Sequence, residues 1–81
     1  MKVDICKMER KDGSGCCKAL VDIAIDESFV IKGMRVIEGE KSLFVAYPKE
    51  EKNGKWYNVV IPLKREVKED IEKIILDAYN N

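Results

Sequence analysis

Phe29-Val30-Ile31-Lys32-Gly33-Met34-Arg35-Val36-Ile37 is rich in β-branched residues and carries one glycine near its middle. Strand-forming side chains on both sides of Gly33 predict one strand with a bulge or bend at the glycine. An inserted residue reverses the facing of those after it, so the interruption lets Arg35 be re-aimed. Just upstream, Ala19, Val21, Ile23 and Ile25 recur at every second position of Cys17 to Ile25, which predicts a strand with one core face and Lys18 and Asp22 on the other. Asp26-Glu27-Ser28 supplies the turn between the two strands. Further upstream, Val3 and Ile5 alternate with charged neighbours in Val3 to Met8, the pattern of a half-buried strand. Asp12-Gly13-Ser14-Gly15 follows, where glycines accept positive φ and the chain can reverse into a hairpin.

Downstream, Gly39-Glu40-Lys41-Ser42 closes another turn before Leu43-Phe44-Val45-Ala46-Tyr47, an almost continuous apolar run expected at the sheet centre. Pro48 ends that run because it cannot donate to a ladder. Asn53-Gly54 is the strongest short turn signal in the chain, with flanks that read as hairpin arms, and Trp56 to Leu63 resumes strand character. From Arg65 the period changes. Val67, Ile71, Ile74, Ile75 and Ala78 fall on one face of an amphipathic helix from about Arg65 to Tyr79, with Glu66, Glu69 and Asp70 complementing the macrodipole in its first turns. The fold class read from this order is α+β: a small antiparallel β-sheet of about five strands and one C-terminal amphipathic helix, in a single domain over residues 1–81.

The chain has 81 residues, with 15 basic and 15 acidic side chains and no His. So short a domain buries only about 60% of its unfolded surface, which makes association with a second copy attractive. The charges also balance along the chain: residues 1–41 hold 8 of each sign and residues 42–81 hold 7 of each. There is no basic arm or acidic tail, so any charged patch must be made by folding. The amino terminus lacks the apolar core of a secretory signal, and no run approaches the roughly 18 apolar residues of a membrane span. A cytoplasmic location and no membrane partner are expected. Cys6, Cys16 and Cys17 suit neither a disulfide framework nor a zinc site without His, so buried or half-buried reduced thiols are expected, with no metal and no cofactor.

Nucleophilic catalysis needs an activated Ser, Cys or Thr with a base in reach, yet there is no His, and Ser14, Ser28 and Ser42 fall in expected turns. The adjacent acids Asp26-Glu27 and Glu50-Glu51 fall in hydrophilic turns, and a thin core gives no deep cleft to raise a pKa. Gly13-Ser14-Gly15 lacks the helix start that a phosphate-cradling loop needs. No enzyme is expected. A nucleic-acid reading rests on Arg35, Lys49, Lys52, Lys55, Lys64 and Arg65, since the last hairpin loop and the helix entrance can sit at one end of a sheet. Trp56 and Tyr57 are adjacent in a strand, so one points inward and the other outward, where a ring beside Lys55 could stack on a base. On composition alone the plainer reading is that both rings cover the core and an interface while the lysines keep the protein in solution.

The order Arg35-Val36-Ile37-Glu38-Gly39, then Leu43-Phe44-Val45-Ala46-Tyr47-Pro48, resembles the stage V sporulation protein G family of small bacterial septation and sporulation regulators. Family members read approximately Ile-Arg-Val-Ile-Asp-Gly and Gly-Leu-Phe-Val-Ala-Met-Pro at these places. Ala19 to Asp26, Phe29-Val30-Ile31, Ile61-Pro62-Leu63 and the terminal helix extend the resemblance over most of the chain. It implies a small antiparallel sheet with a C-terminal helix, dimerisation through strands, and DNA or RNA binding linked to regulation of division and sporulation. The chain departs from the family pattern at four places. Glu50-Glu51 stands where the family tends to have Lys-Arg, Ser42 replaces a glycine, Tyr47 replaces a methionine, and Ile61-Pro62-Leu63 replaces His-Pro-Ile.

A homodimer is expected through the apolar edges Phe29 to Ile31 or Leu43 to Tyr47. Two function classes follow: a regulator using the six cations on phosphates, or a protein-interaction module of the division or sporulation machinery in which Glu50 and Glu51 mark the partner surface. If Glu50 and Glu51 pair with Lys49 and Lys52, they lower the potential offered to a phosphate backbone. Glu50→Lys with Glu51→Arg is then expected to raise DNA affinity by well over tenfold at low salt.

Overall fold

The computed structural model describes residues 1–11, 13 and 15–81; Asp12 and Ser14, half of the expected first hairpin turn, lie outside the described residues. Its elements run β1 (Val3–Arg10), β2 (Cys17–Ile25), β3 (Phe29–Glu38), β4 (Leu43–Ala46), β5 (Lys49–Lys52), β6 (Lys55–Asn58) and α1 (Arg65–Asn80). β1 to β4 form an antiparallel meander in the order β1-β2-β3-β4, and β5 and β6 form a separate two-stranded sheet. The architecture is α+β with antiparallel sheets and one C-terminal helix, as the periodicities predict. The described strands number six because both arms of the Asn53-Gly54 hairpin are strands.

The core lies between one face of the meander and α1. Ala19, Val21, Ile23 and Ile25 of β2 are all buried, as their period requires. They meet Met34 and Val36 of β3, Val45 of β4, and Ile71 and Ile75 of the helix. α1 packs against β1, β3 and β4. The bulge in β3 lies at Gly33. Val21 faces Met34 and Ile23 faces Ile31, so Lys32 and Gly33 together oppose Asp22. Gly33 adopts φ +91 and its N–H donates to Asp22 Oδ1 at 3.3 Å. The extra residue keeps Ile31 and Met34 on the core face and sends Arg35 to the opposite one.

Arg10 ties β1 to the end of the helix. Its guanidinium lies 4.7 Å from the Tyr79 ring centroid and donates to the carbonyls of Ala78 (3.5 Å) and Asn81 (3.4 Å). The last turn of α1 has no basic residue of its own, so Arg10 brings the cation that the negative end of the helix dipole favours. In the β3–β4 turn, the Gly39 N–H donates to Ser42 O at 3.0 Å. A Cβ at Gly39 would come within 3.1 Å of that oxygen and 3.2 Å of the Phe44 ring. This close approach accounts for the glycine in the Glu38-Gly39 motif.

Four expectations are corrected. The run Leu43 to Tyr47, expected at the sheet centre, supplies the outer strand β4 (Leu43–Ala46), because after Pro48 the chain pairs β5 with β6 and no described strand returns to the free edge of β4. The strand expected over Trp56 to Leu63 stops at Asn58, since Asn58 already faces Lys49, the first residue of β5. Trp56 and Tyr57 do point to opposite faces, but neither enters the core and both are exposed. Cys6 and Cys16 are exposed free thiols, and Cys17 alone is half-buried.

Candidate nucleic-acid interface

The β5–β6 hairpin turns through Asn53 (φ 52) and Gly54 (φ 79), the pair of positive φ values of a type I′ turn, which matches the twist of the flanking strands. Its cross-strand pairs are Lys49 with Asn58, Glu50 with Tyr57, Glu51 with Trp56, and Lys52 with Lys55. Opposed residues share a face and successive residues alternate. One face therefore carries Lys49, Glu51, Trp56 and Asn58, and the other carries Glu50, Lys52, Lys55 and Tyr57.

The first of these faces closes a cleft of about 540 Å³ against the meander, lined by Lys32, Gly33, Arg35, Pro48, Lys49 and Trp56. Each wall has a sequence cause. The bulge sets Lys32 beside Gly33 and turns Arg35 away from the core, Pro48 ends β4, and the I′ turn holds Trp56 alongside Lys49. Trp56 is 65% exposed. Among the described residues, Lys32, Arg35 and Lys49 form no ion pair, although Glu51 shares the hairpin face with Lys49 and the Asp22 carboxylate accepts from the Gly33 N–H.

The six expected cations divide into three groups. Arg35 and Lys49 share this cleft, joined by Lys32, which the sequence reading did not single out although it directly precedes the bulge glycine. Lys52 and Lys55 face each other at the hairpin tip, and Lys52 lines a second recess of about 440 Å³ with Glu50 and Tyr57. Lys64 precedes the helix in extended conformation with no side-chain cap, and Arg65 Nε lies 3.4 Å from Glu69 on the same helix. Neither Lys64 nor Arg65 lines the Trp56 cleft. The expected pairing of Glu50 and Glu51 with hairpin lysines does not occur among the described residues. Sequence neighbours on a strand point to opposite faces, and the residues opposite the two acids are aromatic.

Fold and cleft together define a small α+β protein in which a helix covers one face of a β-meander and a charged hairpin flanks the other. The SpoVG family model matches the chain over residues 1–81. Several relatives are named septation protein SpoVG. That of Agathobacter rectalis is 35% identical over 80 residues, covering 98% of this chain and 92% of the relative. That of Staphylococcus saprophyticus is 38% identical over 80 residues, covering 98% and 79%. A third, from Archaeoglobus fulgidus, is 36% identical over 74 residues, covering 90% and 87%. The chain belongs to the SpoVG family. The stretch that carried the resemblance, Arg35 to Pro48, runs from one wall of the cleft through the β3–β4 turn to another.

Proposed function

We propose that this protein is a nucleic-acid-binding regulator of septation and sporulation that acts in the cytoplasm as a homodimer and not as an enzyme. The observation supporting this reading is the convergence of Lys32, Arg35 and Lys49, all free of ion pairs among the described residues, around an exposed Trp56. Three unpaired cations suit successive phosphates, and an open indole face suits stacking on an unpaired base. A dimer doubles this contact surface; the outer edge of β4 and the first half of β3 are both unpaired on one side. No helix among the described residues is long and apolar enough to cross a membrane.

Trp56 is the only tryptophan, so its emission reports on the cleft directly. Titration with a mixed-sequence single-stranded oligonucleotide at low salt is expected to quench it, and Arg35→Ala with Lys49→Ala to weaken binding by roughly tenfold or more. Binding without any change in Trp56 emission would move the interface away from the cleft. A second reading, a module that binds a protein partner, is favoured by the mixed charge of the other hairpin face, where Glu50 and Lys52 flank Tyr57. Under that reading the protein has little direct affinity for the oligonucleotide.

A further inference from the structure

The open face of the meander carries two recesses that meet at one residue. One is the Trp56 cleft; the other, of about 180 Å³, is lined by Lys7, Glu9, Leu20, Asp22 and Gly33. Gly33 lines both, and among the described residues a Cβ there would touch the Pro48 ring alone, at 3.9 Å. Having no side chain, it leaves the passage between the two recesses open. Asp22 stands on that passage. It takes the open face because Val21 and Ile23 take the core face of β2, and across β3 it is opposed by Lys32 and Gly33. Its Oδ1 accepts from the Gly33 N–H at 3.3 Å, which fixes the carboxylate on the bulge. Lys7 faces Asp22 across the β1–β2 ladder, yet Asp22 forms no ion pair among the described residues. Glu9, in the same recess, is instead paired with Lys11 at 3.1 Å. One half-buried carboxylate is therefore left with Oδ2 unclaimed by any described donor, in a surface whose cations suit phosphates.

A negative group at that place repels a nucleic-acid backbone, so its favourable contact with a bound strand is with a base. Among unpaired bases, guanine alone presents two adjacent donors, N1–H and N2–H, on its Watson–Crick edge. Adenine and cytosine set a ring acceptor beside their amine, and thymine or uracil flanks its one N–H with carbonyls. Each carboxylate oxygen has two lone pairs, so Oδ1 keeps the Gly33 bond while both oxygens accept from guanine. We infer that Asp22 is the specificity-determining residue of the cleft, its carboxylate accepting from the N1–H and N2–H of an unpaired guanine that lies over Gly33. The inference rests on the nucleic-acid reading above and names the base that the site selects.

Quenching of Trp56 by short thymidine strands with guanine at every third position, and by matched strands with hypoxanthine or adenine there, tests it. Hypoxanthine differs from guanine only in lacking the 2-amino group. Wild type is expected to bind the guanine strand roughly tenfold or more tightly than the adenine strand, with hypoxanthine between them. Asp22→Asn should erase this ranking without weakening the adenine strand or lowering the thermal midpoint. The Asn carbonyl keeps the bond from Gly33, whereas its NH2 sets a donor against the guanine donors. A purely structural Asp22 would leave the ranking in place. Equal affinity of wild type for the guanine and adenine strands, or a guanine preference that survives Asp22→Asn, overturns the role of Asp22 while leaving nucleic-acid binding standing. The same series in RNA, with uridine for thymidine, should rank alike, and a preference confined to one backbone identifies the strand that the site takes. Failure of every strand to bind overturns the nucleic-acid reading and this inference together.

Discussion

Tyr47 is buried just after β4. Its hydroxyl has no hydrogen-bond partner among the described residues, and neither does Glu72 Oε2, although that oxygen lies 3.2 Å from Lys68 Nζ. Burial first, and then the nearby Glu72 carboxylate, push the phenol above its ordinary value. The folded state thus holds the phenolic proton more tightly than the unfolded chain. The contribution of the neutral phenol is complete below the unfolded value of about 10 and is lost as pH rises above it. In denaturant melts, wild type should lose stability more steeply than Tyr47→Phe above that pH; coincident alkaline profiles would contradict the assignment. At neutral pH, Tyr47→Phe should cost less than about 1 kcal/mol or stabilise, since it removes a buried hydroxyl that satisfies nothing. At this scale Gly33 was legible, because a glycine amid β-branched residues has few roles besides a bulge. Lys32 was not, because its place in the cleft depends on Pro48 and Trp56 arriving from later elements.

The β5–β6 hairpin puts Glu50 and Glu51 on opposite faces, which separates two substitutions that the sequence could only treat together. Glu51 shares its face with Lys49 and Trp56, whereas Glu50 lies with Tyr57 and Lys52. Titration with labelled DNA at low salt should give Glu51→Arg most of the gain expected for the double change, roughly tenfold, and Glu50→Lys only a minor part. Equal gains from Glu51→Arg, Glu50→Lys and the helix substitution Glu72→Lys would mean that net charge alone governs affinity. The turn was readable because Asn53-Gly54 is chemically suited to positive φ, and the helix because its apolar spacing changes at Arg65. The outer position of β4 and the early end of β6 were not readable. Periodicity reports which face a side chain takes, but not which strand lies alongside.

At the scale of the whole molecule, α1 covers one face of the meander, and the other face, with Arg35, stays open beside the hairpin. A chain with balanced charge thereby gathers in one place three cations that form no ion pair among the described residues, which its composition could not reveal.

The most direct measurement is the salt dependence of oligonucleotide affinity for wild type and for the Arg35→Ala, Lys49→Ala variant. If Lys32, Arg35 and Lys49 each neutralise one phosphate, log affinity should fall with log salt at a slope of about −2 to −3 per cleft, and the variant should lose about two thirds of that slope. A flat plot for wild type, or a steep slope that survives removal of Arg35 and Lys49, would contradict the cleft as the phosphate-binding site.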